Sequence, residues 1–74
     1  MTLDELKPGD RCRITKLKTK GQLGHRLMDM GFFKGVEVSV VRNAPLVDPV
    51  EVALGGFQVS LRHQEAGQVE VERV

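Results

Sequence analysis

The segment that most restricts the fold of this chain is Val50 to Leu61. Val50, Val52 and Leu54 alternate with Glu51 and Ala53; Phe57, Val59 and Leu61 alternate with Gln58 and Ser60; Gly55-Gly56 separates the two runs. Strict alternation is the period of a pleated strand with one buried face, and glycine tolerates the positive φ that a two-residue hairpin turn requires. Such a turn sets Leu54 opposite Phe57, Val52 opposite Val59 and Val50 opposite Leu61. All six apolar side chains then share one face, and a slip of one residue would turn every one of them outward. Turn length and alternation specify the same register independently, so the segment is predicted to be a β-hairpin.

Three further strands follow from the same rule. Val36, Val38 and Val40 alternate with Glu37 and Ser39, and Val69 and Val71 alternate with Gln68, Glu70 and Glu72. The first strand runs from about Arg11 to Leu17, with Cys12 and Ile14 inward; its phase slips between Ile14 and Leu17, which predicts a bulge. Leu6-Lys7-Pro8-Gly9-Asp10 reads as a turn before it. The one helical stretch is Leu23 to Met30, where Leu23, Leu27 and Met30 line one face and Gly31 is placed to end the helix in a left-handed conformation. Asn43 to Asp48 reads as a six-residue loop between strands, and Pro49 as the start of the next strand or an edge residue. Five short strands in a meander with one helix specify an all-β chain, mainly β with one short helix. The best match is an SH3-like small five-stranded β-barrel, closed or half-open, ahead of an OB-type barrel.

A length of 74 residues allows one small domain, 1–74, with a thin core and little room for an enclosed pocket. Eleven valines supply the β-branched material to hold it without cross-links. One cysteine, Cys12, excludes an intramolecular disulfide and a cysteine-only metal cage, and suits a reducing compartment. No apolar run exceeds three residues, and the acidic N-terminus has no hydrophobic leader, so neither a membrane span nor a secretory signal is expected. There is no Trp or Tyr, only three Phe, and the net charge is +1. Aromatic platforms for single-stranded nucleic acid and a broad basic footprint are therefore both lacking.

The residues offer little for catalysis. Cys12 lies at an inward strand phase, Ser39 and Ser60 are solvent-face spacers, and Gly55-Gly56 is accounted for as a turn, so no enzyme site is expected. His25 and Asp29 stand four apart on the helix, and imidazole plus carboxylate suits a divalent transition metal. Two ligands fall short of a closed site, with His63 or Cys12 as the remaining candidates to complete one. Six of the eleven cations (Arg11, Arg13, Lys16, Lys18, Lys20 and Arg26) fall in a stretch with no acid between Asp10 and Asp29. That stretch is either a solvated surface or a basic face for an acidic protein or an anionic membrane, with Arg11, Arg13 and Arg26 as candidate contacts. Leu46 and Val47, between Pro45 and Asp48-Pro49, form a stiffened apolar loop tip that would lose little entropy on binding a partner.

Two ordered motifs then carry a resemblance. Leu27-Met28-Asp29-Met30-Gly31-Phe32-Phe33-Lys34-Gly35-Val36-Glu37-Val38 resembles the helix-then-strand signature of the FeoA (ferrous iron transport protein A) family. Arg42-Asn43-Ala44-Pro45-Leu46-Val47-Asp48-Pro49, followed by the hairpin to Phe57, resembles its second signature, and the opening Leu3 to Gly9 is also similar. Lys34 stands where the family often has proline and Val47 where it often has glycine, which makes the loop tip more apolar than usual. The resemblance implies a non-enzymatic cytoplasmic SH3-like module. It would sit at the inner face of the cell membrane through a partner, the FeoB-type membrane ferrous iron transporter, with no insertion of its own and no nucleic acid. It also implies kinship with the C-terminal domains of iron- and manganese-dependent repressors, the basis of an alternative metal-sensing reading. No cofactor is required on either reading beyond a weak contact with Fe(II) or another divalent transition metal, and self-association into a homo-oligomer is a further expectation.

Overall fold

The computed structural model describes residues Met1–Val74. A 3-10 turn at Leu3–Glu5 precedes β1 (Arg11–Leu17), followed by α1 (Gly21–Asp29), β2 (Glu37–Ala44), β3 (Val47–Leu54), β4 (Phe57–Leu61), α2 (His63–Ala66) and β5 (Val69–Arg73). All five strands form one sheet in the order β4-β3-β2-β1-β5, and every pairing is antiparallel. Each strand also contributes to one core cluster of 15 buried apolar residues. Leu3, Leu6, Leu27, Phe32 and Ala66 from outside the strands complete that cluster, and the five antiparallel strands around it form the SH3-like barrel. Its edges, β4 and β5, do not pair, so the barrel is half-open and α2 spans the gap in sequence.

The β3–β4 register is Leu54↔Phe57, Val52↔Val59 and Val50↔Leu61, as the two glycines require. The bulge in β1 falls between Ile14 and Lys16. Helix α1 ends with Gly31 at φ 102, where a Cβ would lie 3.1 Å from Leu54 Cδ2, so both conformation and space call for glycine there.

Three expectations need correction. Phe57 shares the inner face of the hairpin but is 74% exposed, because β4 is an edge strand and the barrel ends before its first residue. The six-residue loop at Asn43 to Asp48 does not exist: β2 runs to Ala44 and β3 begins at Val47, leaving only Pro45-Leu46 as a turn. Pro49 neither opens β3 nor lies on an edge strand; it sits inside β3 where the β2 register shifts between Arg42 and Ala44, a bulge that spares a residue with no N–H to donate. The turn before β1 forms as expected, with the Asp10 N–H donating to the Lys7 carbonyl at 3.0 Å, and ahead of it lies an unanticipated short helix that buries Leu3. That helix is capped by the Thr2 N–H donating to Glu5 Oε1 at 2.7 Å. The pattern Thr2-x-x-Glu5 is a capping-box signal that could have located it.

Candidate functional site

Three surfaces carry the residues that chemistry or binding could use. The first is the β2–β3 turn. Pro45 occupies its first central position and Leu46 its second, with Leu46 at φ 60 and fully exposed. A left-handed conformation costs a β-carbon residue roughly 1–2 kcal/mol, and an exposed leucine recovers none of that by burial. Val47 beside it is 56% exposed. The base of the turn is rigid for a reason that only the tertiary structure reveals. His63 on α2 donates its backbone N–H to Asp48 Oδ1 at 2.8 Å, with its ring Nδ1 also 2.8 Å from that oxygen. Its Nε2 lies 2.9 Å from Asn43 Oδ1. Asn43 Nδ2 in turn donates to the carbonyls of Asp4 at 3.0 Å and Leu6 at 2.6 Å, which orients the amide so that its oxygen faces the imidazole. Hydrogen bonds from His63 hold the Asp48 carboxyl below the usual carboxylate range. His63 is thus a strut joining the N-terminal turn, the hairpin and α2, and is not free to complete a metal site.

The second surface is the outer face of β1. Arg11 approaches Glu37 at 3.9 Å; Arg13 lies between Glu37 at 4.0 Å and Glu72 at 3.9 Å; Lys16 meets Glu70 at 3.8 Å. These are cross-strand neighbours in the β1–β2 and β1–β5 registers. The cations read along the sequence as a basic run therefore alternate in space with acids from β2 and β5. Arg26 on α1 is likewise engaged by Glu65 of α2, whose other oxygen caps the Arg62 N–H at 2.9 Å. Lys7, Lys18, Lys20, Lys34 and Arg62 are the cations without an acidic partner.

The third surface lies along α1. His25 and Asp29 are both exposed and form no hydrogen bond with each other or with other side chains. No group of three or more His, Cys, Asp or Glu side chains is arranged to hold a metal ion. Cys12 is buried in the core, and burial pushes its thiol up to about 11, which favours the protonated form at neutral pH. Beside α1 run two shallow recesses of about 290 and 230 Å3 that share Leu17 and Met28, the smaller of them also lined by His25. The pair Phe32-Phe33 is split between core and surface: Phe32 is fully buried, and Phe33 is 49% exposed at one wall of the larger recess. The sequence reading missed this groove, because Leu17 and Met28 come from different elements and nothing local announces that they meet. No helix is long and apolar enough to cross a membrane.

The FeoA domain family matches residues 1–73. A Porphyromonas gingivalis protein described as an Fe(2+) transport protein A/Fe(2+) transporter FeoB fusion is 39% identical over 74 residues; the match takes in all of this chain and 9% of that protein's length. The solution structure of iron(II) transport protein A from Clostridium thermocellum is 42% identical with a TM-score of 0.93, covering 100% of this chain and 46% of the other. The crystal structure of Stenotrophomonas maltophilia FeoA complexed with zinc, described as a prokaryotic SH3 domain protein, is 32% identical with a TM-score of 0.87, covering 97% and 89%. A manganese-dependent transcriptional repressor shares the fold alone, at 16% identity and a TM-score of 0.90 over 41% of its length.

Proposed function

This chain belongs to the FeoA domain family, and from that premise we propose that it is a non-enzymatic accessory protein of Fe(II) uptake that docks on the cytosolic part of a FeoB-type ferrous iron transporter. The observation that carries the reading is the Porphyromonas gingivalis relative, in which the equivalent segment and a FeoB transporter share one polypeptide. Joining two chains makes their encounter intramolecular, and short flexible linkers give effective concentrations on the order of millimolar. A module selected to act on its transporter gains directly from such fusion. In this chain Leu46 and Val47 are the proposed contact, because a strained and fully exposed leucine on a braced turn has no role in the fold. Arg11, Arg13 and Arg26 are secondary contacts whose charge is shared with Glu37, Glu72 and Glu65.

Co-purification with the full-length transporter in detergent, with and without guanine nucleotide, tests the reading. Leu46→Gly relieves the left-handed backbone but adds glycine's flexibility to the unfolded chain, so stability should stay within about 1 kcal/mol of wild type. Association should nonetheless fall, as it should in Leu46→Asp. Wild-type association and iron uptake by both variants would overturn the assignment of this tip.

A second reading draws on the zinc-complexed relative: His25 and Asp29 together would give a weak, exposed site for Fe(II) or another divalent transition metal. Anaerobic calorimetry with Fe(II), repeated on His25→Ala, separates the two. Micromolar binding lost in that variant would favour metal sensing over docking.

A further inference from the structure

We infer that the groove along α1 receives an acidic peptide segment of a protein partner, anchored by one leucine-sized apolar side chain. The inference rests on the chain acting as a docking module, but on a different surface from Leu46. Its apolar surface comes from Leu17 and Met28, which belong to both recesses, and from Phe32 and the half-exposed Phe33 in the larger one; Thr19, Lys20 and His25 make the smaller one more polar. Volumes of about 290 and 230 Å3 suit single side chains more than a nucleotide or a drug-sized ligand. Methionine adapts its shape to whatever side chain enters.

Charge identifies the occupant. No carboxylate lines either recess, whereas Lys16 and Lys34 border one and Lys20 the other. Lys20 and Lys34 have no acidic partner, in a molecule where most other cations are compensated. An entering peptide with carboxylates on both sides of its anchor would meet one lysine at each end. Complementarity of this kind acts mainly on specificity and association rate. A lipid surface is a poorer match: anionic membranes are held by clusters of basic residues at about 1 kcal/mol each, and the neighbouring β1 face interleaves Arg13 and Lys16 with Glu37, Glu70 and Glu72. The groove also lies away from the Leu46 turn. Gly31, between Met28 and Phe33, packs on Leu54, and β3 carries Leu54 and Val47 at opposite ends, roughly 20 Å apart at ~3.3 Å per residue.

The test is an NMR titration of the isotope-labelled full chain with the capped hexapeptide Asp-Glu-Leu-Leu-Glu-Asp. Two controls replace its leucines by alanines or its acids by lysines, and vesicles of phosphatidylcholine with and without phosphatidylserine form a separate arm. The acidic leucine peptide should shift the amides of Leu17, Met28 and Phe33 and leave Leu46 unmoved. Lys20→Glu combined with Lys34→Glu should weaken it about tenfold or more, and Met28→Ser should weaken it without altering the charge. Equal shifts with either control peptide, shifts confined to other surfaces, or vesicle binding that the lysine variants abolish would each overturn the inference. If the peptide fails while the transporter still co-purifies through Leu46, the groove alone is refuted. If the peptide binds while the transporter does not, the groove stands and the docking partner is wrong.

Discussion

Phe32→Ala is expected to remove a large share of the domain's stability, while Phe33→Ala, one residue on, leaves it nearly unchanged. Phe32 is the largest fully buried side chain and belongs to the single core cluster; Phe33 is 49% exposed. Truncating a buried phenylalanine costs about 3–5 kcal/mol in lost transfer energy and residual cavity. A domain of this size holds only about 4–11 kcal/mol in total, and with five short strands around one cluster it has no second core to fall back on. Urea titration followed by circular dichroism reads the difference as a large loss in midpoint for Phe32→Ala against a shift below about 1 kcal/mol for the exposed ring. Similar midpoints for the two variants, or a lower one for Phe33→Ala, would overturn the assignment of inside and outside at this pair.

The second large effect is expected at Asn43. Its amide donates to the Asp4 and Leu6 carbonyls and accepts from His63, so Asn43→Ala strands three partly buried polar groups at once. Unsatisfied groups cost about 1–3 kcal/mol in such settings, which for a domain of this length lowers Tm by roughly 10 °C. Because Asn43 and His63 act through one contact, the double variant Asn43→Ala/His63→Ala should cost less than the two single changes added together. Asp48 gives the same network an acid signature. Its folded carboxyl titrates lower than in the unfolded chain because His63 hydrogen-bonds to it. The stability it contributes is therefore full above the ordinary aspartate range and is lost as pH falls through the lower folded value. His63→Ala should flatten the loss of stability below about pH 4 relative to wild type. An unchanged acid limb, or additive single changes, would separate His63 from the network.

The two Phe residues and the His63 network mark the boundary of what a linear reading can reach. The hairpin at Gly55-Gly56, the β1 bulge, Gly31 at the end of α1 and the buried valines follow from periods of two or 3.6 residues and from glycine stereochemistry. Those are properties of neighbours in sequence, and the structure reproduces them. The family signatures are legible in the same way, because ordered motifs survive without coordinates.

What the sequence alone could not decide depends on how distant segments meet. The run from Arg11 to Arg26 looked like a basic face only because Glu37, Glu65, Glu70 and Glu72 lie many residues away in sequence and directly beside it in space. His63 stood in the sequence only as a spare metal-ligand candidate, because its partners Asp48 and Asn43 are 15 and 20 positions distant. Phe57 follows the inward alternation yet stays exposed, since strand phase specifies a face and only the extent of the barrel specifies whether anything covers it. Local chemistry determined which residues form strands, turns and helix, because backbone preferences act over a few bonds. Tertiary structure decided which charges are cancelled, which hydrophobes remain bare and which lysines border the groove, because electrostatic pairing and burial act through space without regard to chain order.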